Sequence, residues 1–241
     1  MTTHELTRTT PLDLGSAAAN PSSLQRLGAA SGAFGFALAI GAIIVSATTG
    51  TVAANLGASA DEIARAYGTA AAPAVWVGAA LQVLAFLCLF GFATYLAAAL
   101  GDGTRADWLS GLTAGAGQTF VALTLAGFAI GSVARFRAGQ GLDVSVAVAL
   151  FDVHVALYVA SWAIGALFMV ATAALGMRSP ALPVWLCVAA GCVAAVNLGA
   201  VALPTSSLAS VPNLLMWLWS LAASACLLLR PARSRLEGGR P

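Results

Sequence analysis

The sequence predicts an all-α protein built as a bundle of six transmembrane helices, and three observations support this fold class. Of the 241 residues, 60% are hydrophobic and only 8% are charged, whereas soluble domains carry roughly 25% charged residues. Charged side chains are absent from three long stretches, residues 27–60, 66–101 and 179–229. The apolar runs are also too long for barrel strands, so they favour helices, which satisfy their own backbone hydrogen bonds in lipid.

The same composition excludes several other classes of protein. The chain is too apolar to be disordered, and a net charge of +2 is too small to indicate a nucleic-acid partner. The four cysteines lie inside apolar runs without a CxxC pair, which argues against a disulfide scaffold and a metal site. We therefore expect no metal, no cofactor and no nucleic acid, with the lipid bilayer as the main partner.

Six segments reach the roughly 20 apolar residues that cross a ~30 Å hydrocarbon core. The predicted spans are residues 28–49, 73–100, 109–133, 146–175, 182–203 and 211–229. The last two form one charge-free run, but the Pro- and Ser-rich segment 204–212 indicates a hairpin turn between them. Residues 1–27 are expected to be a disordered polar tail and residues 230–241 a basic tail.

The arginine distribution predicts the orientation, because cytoplasmic ends hold excess positive charge. With six spans, both tails and the second and fourth loops share one side, and that side carries eight arginines: Arg8, Arg26, Arg105, Arg178, Arg230, Arg233, Arg235 and Arg240. The opposite side carries three: Arg65, Arg135 and Arg137. Both termini are therefore expected in the cytoplasm, and the protein in a bacterial plasma membrane.

The first outer loop contains the signals of a short helix. Ser59 and Glu62 have the spacing of a capping box, and Asp61 and Arg65 are an i, i+4 pair. Because its apolar residues share one side, this helix is expected to rest on the membrane surface, with Tyr67 among the headgroups. A gating lid is the alternative.

Stripes of small residues indicate where helices pack closely, since association in lipid depends on close contact. The stripes on the first and third spans include six glycines: Gly28, Gly32, Gly35, Gly117, Gly127 and Gly131. We expect these glycines to pack against another helix. A narrow conduit lined by the neighbouring Ser and Thr hydroxyls is the alternative interpretation.

The fourth span alone contains ionisable side chains, Asp152 and His154. They are two residues apart, hence about 200° around a helix, and cannot act together on one face. Asp152 is near the outer end of a long span, where Arg135 or Arg137 is placed to form a structural ion pair with it.

His154 begins a polar stripe that predicts the interior face of its span. Tyr158 and Ser161 continue it, and Asn213 and Trp217 form a comparable row on the sixth span. These five residues are the candidate ligand-binding set, for a small polar or aromatic ligand. The alternative is that they only bond one another between helices, which is routine in membrane proteins.

Enzyme motifs are missing from the sequence. It contains no HExxH, no GxSxG with partner residues and no glycine-rich phosphate loop. We therefore identify no catalytic residue, and the sequence favours a protein that is not an enzyme.

Residues 172–198, TAALGMRSPALPVWLCVAAGCVAAVNL, join two helices through a basic turn and a Pro-x-Trp-Leu motif. This segment resembles uncharacterised bacterial six-span integral membrane proteins of the domain-of-unknown-function type. Many of those proteins have a basic residue before the Trp and a Gly after the Leu, where this chain has Val184 and Cys187. The resemblance implies a six-helix membrane protein without assigned functional residues.

Two main functions remain open on these grounds, and an intramembrane enzyme is a third. The first is a binding or accessory protein that packs through its Gly-rich faces against itself, another membrane subunit or a lipid. The second is a small-solute transporter or exporter with a pocket near His154 and Asn213.

Overall fold

The computed structural model describes residues 23–48, 58–68, 73–101, 108–138, 140–203 and 211–229. These residues form seven helices and no strand: α1 (Ser23–Thr48), α2 (Ala60–Gly68), α3 (Pro73–Leu100), α4 (Trp108–Ala138), α5 (Val144–Arg178), α6 (Val184–Ala202) and α7 (Val211–Leu229). All except α2 are long and apolar enough to cross a membrane. The prediction of an all-α bundle with six spans is confirmed.

Several helices are longer than the spans predicted from hydropathy. Helix α1 begins at Ser23, so residues 23–27 belong to the first span and not to the tail. Helix α4 continues to Ala138 through two arginines, which suit a helix C-terminus because its dipole favours cations there. Helix α5 begins after Asp143, whose carboxylate accepts from the backbone N–H of Ser145 at 2.8 Å. The remaining tail residues, 1–22 and 230–241, lie outside the described residues.

The six spans close into a ring in chain order, since each packs on its neighbours and α7 returns to α1. Neighbours are antiparallel. The Ser110 hydroxyl at the start of α4 donates to the Ala97 carbonyl at the end of α3 (2.8 Å), and the Ser224 hydroxyl of α7 donates to the Ala29 carbonyl of α1 (2.7 Å). The start of α1 and the end of α7 therefore share one end of the bundle. We call this the tail end and the opposite one the distal end.

The half of the bundle toward the tail end has a closely packed apolar core. Phe92 and Leu96 of α3 and Phe168 and Met169 of α5 are all at most 1% exposed. They belong to one continuous cluster with side chains of α4, α6 and α7. The interior of this half is therefore filled largely by apolar side chains.

The distal end is uneven because α5 is much longer than α6. Gly165 of α5 lies opposite Asn197 of antiparallel α6, where an added Cβ would be 3.3 Å from the amide oxygen. Helix α6 ends five residues later at Ala202, which places its end level with about residue 160 of α5. The residues from 144 to 159 then extend beyond α6 by about 24 Å at 1.5 Å per residue.

Helix α2 packs on this extension of α5 and on the end of α4. Its Ile63 and Tyr67 are 1% and 4% exposed, in a cluster with Ala134, Ala147 and Phe151. The sequence predicted that this apolar face rests on the membrane surface. The structure covers the face with protein instead, because α4 and α5 continue far enough past the shorter spans to meet it.

Candidate functional site: a cavity at the distal end

A cavity of about 360 Å³ opens in the distal half of the bundle, a volume within the usual range for small-molecule sites. Five helices contribute to its wall: α1, α3, α4, α5 and α7. The lining residues are Ala42, Ser46, Val75, Gly78, Ala79, Gln82, Phe86, Thr124, Phe128, Arg135, His154, Tyr158 and Asn213.

The cavity reaches well into the bundle. Val75 and Phe86 both line it, and Phe86 is thirteen residues after Pro73, about 20 Å along α3 at 1.5 Å per residue. Below this level Phe86 packs on Trp217, with ring centroids 5.5 Å apart, and on Phe120, at 6.3 Å. These aromatic rings form an apolar floor between the cavity and the packed core.

His154 is held in one orientation by a hydrogen bond to α4. Its Nδ1 is 2.8 Å from the carbonyl oxygen of Gly127. Because a carbonyl oxygen only accepts, Nδ1 carries the hydrogen and donates. Its Nε2 makes no hydrogen bond with the described residues, so this nitrogen is available to a ligand. In the neutral ring it is an acceptor.

Arg135 contributes the positive charge of the cavity wall. Its Nε is buried and has no hydrogen-bond partner among the described residues. The guanidinium is close enough to Tyr67 and His154 for its charge to act on both. Arg135 is half-buried, so this cation is partly shielded from solvent and lacks a protein counter-ion in the described part of the chain.

Amide and hydroxyl groups complete the polar lining. Gln82 and Asn213 make no hydrogen bond with other described residues, and neither does the hydroxyl of Tyr158. Tyr158 stacks on His154 at a centroid distance of 6.3 Å and meets Trp162 edge to face at 5.4 Å. The Thr124 hydroxyl donates to the carbonyl of Phe120 at 2.8 Å. The cavity therefore combines spare donors and acceptors with apolar walls.

The structure brings together three of the five residues selected as a ligand-binding set. His154, Tyr158 and Asn213 line the cavity. Ser161 is fully buried and donates to the Tyr158 carbonyl at 2.7 Å, and Trp217 lies beneath Phe86. These two residues support the wall and the floor.

The five-residue ligand-binding set did not include Ser46, Gln82, Thr124 or Arg135, although all four line the cavity. Gln82 is an isolated amide in an apolar span, and its apolar neighbours do not show which way it faces. Arg135 was assigned to a different partner. Arg135 lies one turn past Gly131 on α4, and Gly131 packs against His154. This spacing could have indicated that Arg135 lies on the same face of α4 as the site.

The expected ion pair of Asp152 is not formed among the described residues. Asp152 is exposed on α5 and has no hydrogen-bond or ion-pair partner there. Arg137 donates instead to the Gln140 side-chain oxygen at 3.4 Å, and Arg135 lines the cavity. The physical reason is helical geometry: His154 faces α4, so a residue two positions earlier faces away from it.

All six glycines of the small-residue stripes lie at contacts between helices of this chain. An added Cβ would be 2.6 Å from Tyr95 at Gly28, 2.9 Å from Trp217 at Gly35 and 2.6 Å from the Ala93 Cβ at Gly117. At Gly32 it would meet the Ser224 hydroxyl, and at Gly127 and Gly131 it would lie 3.1–3.2 Å from His154. These faces are occupied within the bundle.

Three titratable groups beside the site, outside the spans, have shifted pKa values. Hydrogen bonds from the backbone N–H and the hydroxyl of Ser59 lower the pKa of Glu62. The hydroxyl and the backbone N–H of Ser145 lower the pKa of Asp143. Burial raises the pKa of Tyr67, and the charge of Arg135 opposes that rise. The two acids are thereby held as anions by their own helix caps.

No family model, no curated protein and no solved structure matches this chain. The functional interpretation therefore depends on the cavity and on its chemistry.

Proposed function

We propose that this protein is a non-enzymatic, multi-pass protein of the bacterial plasma membrane that binds a small solute in its distal cavity. The observation that carries the proposal is a 360 Å³ cavity whose Arg135, Gln82, Asn213 and His154 present polar atoms without partners among the described residues. Polar groups that serve only to join helices are hydrogen-bonded to one another. The polar atoms of this cavity lack such partners among the described residues and are therefore available to a ligand.

The arginine distribution supports an orientation for the proposed site. Eight arginines lie on the side of the predicted tails and three on the other, which favours cytoplasmic termini. The distal cavity would then open on the outer face of the membrane, and the packed half would face the cytoplasm. A solute would reach the site from outside the cell.

The accessory-subunit hypothesis has less support than solute binding. It required the Gly-rich faces to be free for a partner subunit or a second copy, but Gly35 and Gly117 already pack against α7 and α3 of the same chain. The same residues therefore support a self-contained bundle.

Transport through the same cavity is the second candidate function, and the depth of the cavity favours it. The cavity ends at Phe86, inside the membrane-spanning part of α3. Uptake of labelled benzoate into proteoliposomes, compared with empty liposomes, separates transport from binding alone.

Solute binding can be tested by filling the cavity with one larger side chain. Ala79 lines the cavity and is half-buried, whereas the adjacent Ala80 is exposed. We expect Ala79→Phe to abolish binding of a probe set of benzoate, benzamide and benzylamine, measured by calorimetry in nanodiscs, and Ala80→Phe to leave binding unchanged. Binding of none of the probes to the unaltered protein, or equal binding by both variants, contradicts the proposed function.

A further inference from the structure

We propose that the distal cavity recognises the carboxylate of a small monoanion with an apolar body, and that Arg135 is its counter-ion. This inference rests on the proposed function and names the class of solute. It is argued from the charge balance of the cavity, the half-buried position of Arg135 and the apolar character of the remaining wall.

The charge balance indicates an anion. Arg135 is the one charged side chain among the described lining residues. The described acidic residues of the distal end are engaged or turned elsewhere: Glu62 accepts from Ser59, Asp143 accepts from Ser145, and Asp61 and Asp152 are exposed. A bound anion would supply the missing negative charge.

Burial makes the absence of a counter-ion costly. Arg135 is half-buried, lines the cavity and has no ion-pair partner in the described part of the chain, and a partly buried charge without a counter-ion is unfavourable. The guanidinium plane matches the two oxygens of a carboxylate, which it binds through two parallel N–H groups. The amides of Gln82 and Asn213, both in the wall, are further hydrogen-bond donors in the same cavity.

The apolar lining defines the rest of the ligand. Val75, Phe86 and Phe128 line the cavity together with Ala42 and Ala79. These side chains gain nothing from a fully polar solute, but they bury the surface of a hydrocarbon or aromatic body. The polar groups therefore orient the head group and the apolar wall holds the body.

The charge of Arg135 and the size of the cavity restrict the class of ligand further. A single guanidinium balances one negative charge, which favours a carboxylate over a phosphate dianion. At ~30 Å³ for each water molecule in the liquid, the cavity volume of 360 Å³ equals that of about a dozen waters, which suits a small organic molecule. Aromatic and short aliphatic carboxylates are of this size.

The experiment compares matched probes on the unaltered protein and on two arginine variants. Benzoate, benzamide and phenylphosphonate are titrated at pH 7 by calorimetry in nanodiscs, with Arg135→Gln and the exposed control Arg137→Gln. We expect benzoate to bind most tightly, and Arg135→Gln to weaken it by roughly 10- to 150-fold, the range for loss of a hydrogen bond to a charged group. The Arg137→Gln variant should bind benzoate as the unaltered protein does.

The outcomes separate this inference from the proposed function. Equal binding of benzamide and benzoate, tighter binding of phenylphosphonate, or an undiminished preference for benzoate in Arg135→Gln overturns the carboxylate assignment. Solute binding would survive each of these results if Ala79→Phe still blocked the probes. If no probe binds the unaltered protein, both proposals fail. If Arg135→Gln does not fold, the ratio of benzoate to benzamide affinity in the unaltered protein decides alone.

Discussion

His154 has two distinct roles at its two ring nitrogens. Nδ1 joins α5 to α4 through the Gly127 carbonyl, and an added Cβ at Gly131 would lie 3.2 Å from the same nitrogen. The small residues of α4 therefore allow the imidazole to approach the backbone, which fixes the ring and leaves Nε2 for the cavity. One side chain thus connects packing with binding.

Substitution of His154 should separate these two roles. The amide N–H₂ of His154→Asn can still donate to Gly127, so thermal stability in detergent should be retained. In His154→Ala the donor is lost, and we expect a loss of about 0.6 kcal/mol, the average for hydrogen bonds between membrane helices. Both variants lack Nε2, an acceptor in the neutral ring, and should bind benzamide, whose N–H₂ can donate to it, more weakly. Full benzamide affinity in His154→Asn would contradict a role for Nε2.

Close packing at the glycines gives a second prediction at this scale. An added Cβ at Gly117 would be 2.6 Å from the Ala93 Cβ, whereas at Gly115, two residues away, it would meet nothing within 4 Å. We expect Gly117→Val to lower the free energy of unfolding by about 1–3 kcal/mol through overpacking. The Gly115→Val variant is the control and should keep the melting temperature of the unaltered protein. Similar melting temperatures for the two variants would refute close packing at Gly117.

Among the elements, α2 illustrates what local sequence signals specify. The capping box predicted at its start is formed, with the Ser59 N–H donating to Glu62 at 2.8 Å and the Glu62 N–H to the Ser59 hydroxyl at 3.4 Å. The surface on which α2 rests was not predictable in the same way. It depends on how far α4 and α5 extend past α6, and no residue of α2 encodes that length.

The capping box makes a pH-dependent prediction for α2. The folded-state pKa of Glu62 lies below its ordinary value of 4.5, so its stabilising contribution is present above pH 4.5 and is lost as the pH falls through the lower folded-state value. A carbon-13 NMR titration of the Glu62 carboxyl should report this depressed pKa. In Ser59→Ala the backbone N–H still donates to the carboxylate, so the pKa should rise only part of the way toward 4.5. An unchanged pKa in that variant would show that the Ser59 hydroxyl does not hold the carboxylate.

Burial of Ile63 makes a further prediction for α2. Ile63 is 1% exposed in the contact with α4 and α5, whereas Arg65 is exposed. Replacement of Ile63 by Ala should cost about 2–5 kcal/mol locally, and hydrogen exchange at the α2 amides should accelerate. The Arg65→Ala variant serves as the control. Equal exchange in the two variants would mean that α2 does not depend on the buried contact.

At the scale of the whole molecule, composition and hydropathy were sufficient to predict the fold class and the number of spans. The cavity was only partly predictable, because it depends on how each helix is rotated. The stripe beginning at His154 located the inward face of α5, but Gln82 and Arg135 belong to helices whose patterns do not fix their rotation. Asp152 and His154 illustrate the difference: helical geometry separated them and the stripe placed His154 inward, but the sequence did not show that Asp152 would have no partner among the described residues.

The central claim is that a solute-accessible cavity opens at the distal end of the bundle on the outer face of the membrane. Cysteine accessibility in intact cells tests it most directly, after replacement of Cys88, Cys187, Cys192 and Cys226. Asn213→Cys lies in the cavity wall and Thr172→Cys in the packed half, where Thr172 is 1% exposed. We predict that a membrane-impermeant thiosulfonate labels Asn213→Cys from outside and leaves Thr172→Cys unlabelled. Labelling of Asn213→Cys only after permeabilisation would contradict the account.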